Sequence, residues 1–176
     1  MWFNAAQDSG AIEVLSQESD ILLRRIRRRS SDADPGSLTT VLAASEQSAP
    51  GGLKRLAREY ELADYLDPSW ALRPLELVRE DGETVLLLED LGGDLLSQHL
   101  GVPMGVERFL RLAIGITSAV SKMHQGGLIH KDIKPANILV DSSDGTIRLT
   151  GFGIASRVPR ERQSPEIGRA SCRERV

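Results

Sequence analysis

One stretch limits the possible folds more than any other. It is Leu128 to Val140, reading Leu-Ile-His-Lys-Asp-Ile-Lys-Pro-Ala-Asn-Ile-Leu-Val. Upstream, Val106–His124 carries Phe109, Leu110, Ala113, Ile116, Val120 and Met123 at helical spacing, and Gly126-Gly127 suits a helix C-cap. Downstream, Ile138–Asp141 and Thr146–Thr150 read as short strands joined by Ser142-Ser143-Asp144-Gly145, a hairpin signal. A loop holding Asp132, Lys134 and Asn137 is therefore gripped between a helix and a small hairpin. An acid, an amine and an amide in a loop are common. Framed in this way, they are not.

The rest of the chain supplies a strand-rich first part. Ile12–Leu15, Ile21–Ile26 and Leu38–Ala44 read as strands, with Ser16–Asp20 and Ser30–Ser37 as connections. Arg24, Arg25, Arg27, Arg28 and Arg29 form a basic run, expected on a solvated strand edge and turn, with a patch for phosphate or an acidic partner as the alternative. After the break at Pro50-Gly51-Gly52, Leu53–Leu66 places Leu53, Leu56, Tyr60, Ala63 and Leu66 on one helical stripe, and Asp67-Pro68 stops it. Trp70–Val78 and Thr84–Leu88 flank Glu80-Asp81-Gly82-Glu83, a second hairpin. A short helix is expected from Asp94 to Leu100. Strands first and helices after them make an α+β chain.

Composition narrows the function. With 40% hydrophobic and 27% charged residues in 176, the chain has a globular composition, and a net charge of −3 gives no basic excess for nucleic acid. A single cysteine, Cys172, leaves no disulfide framework, and His99, His124 and His130 share no metal-ligand spacing. The longest low-charge stretch, Leu112–Ser121, is far short of a membrane span, and the first residues carry no secretory pattern. A cytoplasmic location is the expectation.

The stretch Leu128–Val140 resembles the catalytic loop of eukaryotic-type serine/threonine protein kinases: His-Arg-Asp, a lysine two residues on, then an asparagine. The resemblance runs from about Ile12 to Pro165 and implies a protein-kinase-like fold of α+β class. Residues 1–91 would be the strand-rich N-lobe with regulatory helix 53–66, and 92–165 a partial C-lobe with catalytic loop 128–140. It implies Asp132 as the base at the substrate hydroxyl, Lys134 as the phosphoryl contact and Asn137 as a Mg²⁺ ligand. Glu89 and Leu91 of the hinge, Leu139 and Glu59 would lie on the ATP side. Lys134-Pro135 favours the serine/threonine class. Implied cofactors are ATP and Mg²⁺. Implied partners are a protein substrate or downstream signalling domains of a parent protein, with no nucleic acid and no membrane span.

Leu149–Ser156 and Pro159–Gln163 are similar to a bacterial group in which a kinase-like domain precedes an AAA-type ATPase module, a GAF domain and a sensor histidine kinase. Residues 166–176 resemble a sequencing-library adaptor translated in frame, and are expected to be a non-native tail.

Three departures separate the chain from a working kinase. Gly151-Phe152-Gly153 stands where the pattern has Asp-Phe-Gly, so the metal clamp lacks its carboxylate. Ala44 stands at the strand lysine, which leaves Glu59 without its usual cation. Leu15–Leu22, in place of the glycine-rich loop, contains no glycine and hinders backbone approach to phosphates. Two functions therefore stay open: a serine/threonine kinase, or a catalytically impaired input domain that signals by binding. A dinucleotide loop at Gly151-x-Gly153 is disfavoured, because Val158-Pro159 follows where a helix would begin.

Overall fold

The computed structural model describes residues 11–18, 21–27, 37–43, 50–80, 83–141 and 143–158. Ala44, the Asp81-Gly82 turn, Pro159–Gln163 and the tail 166–176 lie outside the described residues.

The first half is a five-stranded antiparallel sheet. It comprises β1 (Ala11–Glu18), β2 (Ile21–Arg27), β3 (Ser37–Ala43), β4 (Pro74–Glu80) and β5 (Glu83–Glu89), in spatial order β1-β2-β3-β5-β4. Expected strand positions hold to within a few residues. A bulge between Val14 and Ser16 leaves Leu15 unpaired and turned inward. Pairing of Glu80 with Glu83 closes the β4–β5 hairpin, as its Asp-Gly signal predicts.

Helix α1 (Pro50–Glu61) packs on this sheet, and a 3-10 turn at Ala63–Tyr65 completes the segment expected as one longer helix. Trp70–Leu72, expected as strand, instead forms a turn and a bridge. The carbonyl of Asp67 accepts from the N–H groups of Trp70 and Ala71, and the Asp67 carboxylate accepts from that of Ser69. Trp70 O then accepts from Leu149 N at 2.8 Å, and Leu72 N donates to Leu149 O at 2.9 Å. This bridge joins the two halves of the molecule.

Beyond Glu89 the chain crosses to β6 (Asp94–Leu95) and a 3-10 turn at Leu96–His99, where a short helix was expected. Helix α2 (Val106–Gln125) follows, then β7 (Leu128–Ile129), β8 (Ile138–Val140), β9 (Ile147–Leu149) and β10 (Ser156–Arg157). Strands β6, β8 and β9 form one small sheet, and β10 pairs with β7. Gly127, at φ +74°, turns the chain out of α2, and its N–H caps His124 O.

Two apolar clusters form the core. One gathers Leu15, Leu23, Leu56, Leu86, Leu88, Leu95 and Leu139 between sheet and small sheet. The other joins Leu62, Leu66 and Trp70 to Leu112, Met123, Leu149 and Phe152. The inward face of α2 is Leu112, Ile116, Ala119, Val120 and Met123, whereas Phe109 and Leu110, expected on it, are exposed. Strands β7 and β9 cover α2, and Gly115 admits Ile147 of β9, since a Cβ there would lie 2.6 Å from its Cγ1. No helix among the described residues is long and apolar enough to cross a membrane.

Candidate active site

The expected catalytic loop lies between β7 and β8 and is fixed by its own side chains. Buried His130 sits under Phe152, with ring centroids 4.6 Å apart, and Trp70 meets Phe152 edge-on at 6.1 Å. His130 Nε2 donates to Thr150 O at 2.9 Å, and Nδ1 accepts from the Asp132 N–H at 3.3 Å. These partners fix one neutral tautomer. Burial holds the His130 pKa below the ordinary value, against the Thr150 carbonyl and Asp132, which favour the cation. Between them, Lys131 adopts φ +71°, the one non-glycine residue with positive φ among the described residues. Such strain costs on the order of 1–3 kcal/mol and persists only where neighbours enforce it.

The strained turn presents Asp132 to the cleft. Its Oδ2 lies 3.0 Å from Lys134 Nζ and accepts from Asn137 Nδ2 at 2.9 Å, and the same amide donates to the Asp132 carbonyl at 2.8 Å. Partial burial pushes the Asp132 pKa up, but Lys134 and Asn137 outweigh it and the net shift is downward. Asp132, Lys134 and Asn137 thus form one connected group. An ionised carboxylate held at a cleft mouth can accept or orient a hydroxyl proton, with the ammonium beside it to balance anionic charge.

The facing wall comes from α1 and the turn Gly151–Ile154. Glu59, 3% exposed, points into the cleft, and its carboxylate accepts from the backbone N–H groups of Phe152 and Gly151. Burial raises its pKa to about 7 despite those bonds, and Oε1 has no hydrogen-bond partner. Arg55, one helical turn earlier, lines the same cleft, as do Ser16, Ile21, Leu23 and Thr150. The i, i+4 relation of Arg55 and Glu59 was visible in the sequence, but nothing local marked Arg55 as cleft-facing.

The cleft therefore brings Asp132, Asn137 and Glu59 together, with Lys134 bound to Asp132. Glu89, Leu91 and Leu139 do not line it, and Leu139 is buried in the apolar cluster between the sheets.

A Mg²⁺–nucleotide pair is a poor fit to these side chains. Gly151 has φ +79°, and a Cβ built on it would lie 2.9 Å from Asn137 Oδ1, so the position opposite that amide oxygen carries no carboxylate. Beside phosphates Mg²⁺ usually takes one or two protein carboxylates, with waters and phosphate oxygens completing its shell.

Comparison with known proteins agrees with the loop. The family model for the protein kinase domain matches residues 39–171. The chain is 33% identical over 106 residues to serine/threonine-protein kinase PrkC of Bacillus subtilis, covering 59% of this chain and 16% of that protein. It is 40% identical over 88 residues to serine/threonine-protein kinase ppk31 of Schizosaccharomyces pombe, covering 48% and 8%. To serine/threonine-protein kinase Warts of Drosophila melanogaster it is 36% identical over 101 residues, covering 56% and 9%. The chain thus spans less than a fifth of the length of these relatives. With the loop geometry and this match together, the chain belongs to the protein kinase domain family.

Proposed function

We propose that the chain is a serine/threonine-type kinase-like domain whose protein-substrate side is intact and whose nucleotide–metal side is depleted, so that it works chiefly as a signalling input module that binds. The observation that carries this reading is the asymmetry across one cleft. On one wall Asp132, Lys134 and Asn137 are connected at 2.9–3.0 Å. On the other, Glu59 has a partnerless Oε1 and Gly151 offers no carboxylate.

Phosphoryl transfer depends on positioning and on stabilising charge, and each lost charge costs on the order of several kcal/mol of barrier. Ala44 at the strand-lysine position and the glycine-free segment Leu15–Leu22 point the same way. A full serine/threonine kinase using ATP and Mg²⁺ is the second reading, favoured by the intact loop and by the names of the relatives.

Partners would be a protein bearing a hydroxyl side chain or downstream signalling domains of a parent protein. By resemblance, that parent is a cytoplasmic bacterial sensor with ATPase, GAF and histidine kinase modules.

The deciding experiment is turnover of labelled ATP at saturating nucleotide and Mg²⁺ with a general hydroxyl-bearing protein substrate. Transfer several orders of magnitude below the roughly 1–100 s⁻¹ of ordinary protein kinases supports the input-module reading, and turnover within that range overturns it.

A further inference from the structure

The basic run in β2 hides a buried residue. Arg25 belongs to an inner strand between β1 and β3, and its side chain is 4% exposed. Its Nε lies 3.3 Å from Asp90 Oδ2, whose side chain is 2% exposed, as an ion pair without hydrogen-bond geometry, and Nη2 donates to Gly93 O at 2.6 Å. Glu13 of β1 stands 3.7 Å from Nη1. Asp90 Oδ1 meanwhile accepts from Gly92 N, and a Cβ on Gly93 would lie 2.8 Å from Val140 O. One guanidinium thus ties β2 to the connector between the lobes, and that connector is braced from behind by β8.

Beneath this tie the interlobe space is filled. Leu15 and Leu23 pack in one cluster with Leu88, Leu95 and Leu139, all buried. The open cleft reaches Leu23 but neither Leu139 nor the connector residues Glu89 and Leu91. Asp132, Asn137 and Gly151 line it on the side away from the connector residues.

We propose that the Arg25–Asp90 pair is a latch that holds β2 down on the connector and keeps the interlobe slot shut against a purine base. This rests on the kinase-type reading, which puts the base of a nucleotide beside Leu88–Leu91. A buried, charge-paired tie suits the role. Breaking it from one side leaves an uncompensated buried charge, whereas removing both charges together is well tolerated. A site that is open in only a fraction of molecules loses apparent affinity by that fraction, so releasing the latch raises affinity by the same factor.

The test compares the wild-type chain with R25M/D90N, which removes both charges at similar volume. The readouts are fluorescence of mant-ADP and hydrogen exchange of the amides in β2 and in 89–93. The expected result is exchange that speeds up in those segments and mant-ADP affinity about tenfold or more above wild type. Adenosine should compete for that binding. Unchanged exchange, or equal or weaker affinity in a folded R25M/D90N, overturns the latch. So does competition by pyrophosphate but not by adenosine. Should R25M/D90N fail to fold, R25Q/D90N, which also removes both charges, is measured the same way, and wild-type affinity in it overturns the latch. Turnover at saturating nucleotide is insensitive to a latch that acts on affinity, so failure of the functional reading is read separately.

Discussion

Glu59 reaches from α1 to the backbone N–H of Phe152, placing a nearly inaccessible carboxyl between α1 and the turn Phe152–Ile154. Helix α1 and the turn Phe152–Ile154 meet closely here, since a Cβ on Gly153 would lie 2.6 Å from Arg55 Cβ. The carboxyl thus sits where α1 meets that turn, out of reach of solvent.

Its pKa sets a pH dependence whose sign is fixed. Burial raises it from 4.5 to about 7 in the folded chain. The folded state then holds its proton more tightly, and the stabilisation is fully present below about pH 4.5 and lost as pH rises through 7. The full effect is on the order of 3 kcal/mol at most. Glu59→Gln should flatten the decline between pH 5 and 8 and raise the melting temperature at pH 8. An unchanged slope in denaturant titrations of E59Q would show that Glu59 is not the responsible group.

His130 gives the opposite slope. Its pKa is lowered by burial, so the neutral ring stabilises the fold above the unfolded value near 6.5, and that contribution is lost as pH falls. Melting temperature should drop on acidification below about pH 6.5, and His130→Phe, which cannot titrate, should weaken the drop. The same substitution removes the donor to Thr150 O, so H130F should also be less stable at pH 7.5, by roughly 1–3 kcal/mol in denaturant melts.

The connected group in the loop Leu128–Val140 was legible because it is local. Asp132, Lys134 and Asn137 fall within one short segment, and their contacts follow from that spacing. Arg25 was not legible. In sequence it is one arginine among five, and only the pairing of β2 on both edges and the distant Asp90 turn a solvated residue into a buried one. Trp70 misled for a similar reason: its β-type surroundings suit a strand, but its partner is Leu149, far along the chain. Element types came from periodicity, whereas the identity of the inward face of α2 depended on where β7 and β9 end.

The two glycines of the Gly151–Gly153 turn should respond differently to a side chain. Gly151 has a left-handed conformation that Asp tolerates better than most residues, and a Cβ there meets the Asn137 amide, which must shift against its hydrogen bonds to Asp132. Gly151→Asp combined with Ala44→Lys should fold and should raise Mg²⁺-dependent ATP binding in calorimetry. If binding rises but transfer of labelled phosphate does not, the Asp132 side has decayed too. Gly153→Ala, by contrast, pushes against the Arg55 Cβ and its carbonyl oxygen, parts of α1 that cannot rotate away. It should cost about 1–3 kcal/mol in denaturant melts.

The last prediction separates the two faces of α2. Sequence periodicity assigns Phe109 and Met123 to the same stripe, but Met123 is 0% exposed and Phe109 is 58% exposed. Met123 packs in the cluster that joins Leu62, Leu66 and Trp70 to Phe152, so truncating it opens a cavity at the contact between the halves of the molecule. Met123→Ala should cost about 2–5 kcal/mol, a large share of the stability of a domain. Phe109→Ala should change stability by less than about 0.5 kcal/mol. Val106 and Ile114 are exposed with Phe109, so Phe109→Lys should reduce concentration-dependent aggregation seen by light scattering while leaving the melt unchanged. Hydrogen exchange gives an independent reading. Amides of Leu112–Met123 should be protected alongside those of β8 and β9, because one cluster joins Leu112, Ala119 and Met123 to Ile138, Val140, Ile147 and Leu149. Fast exchange throughout α2 in a monomeric sample, with β5 still slow, would mean that this cluster does not form and that the strand-rich half stands alone.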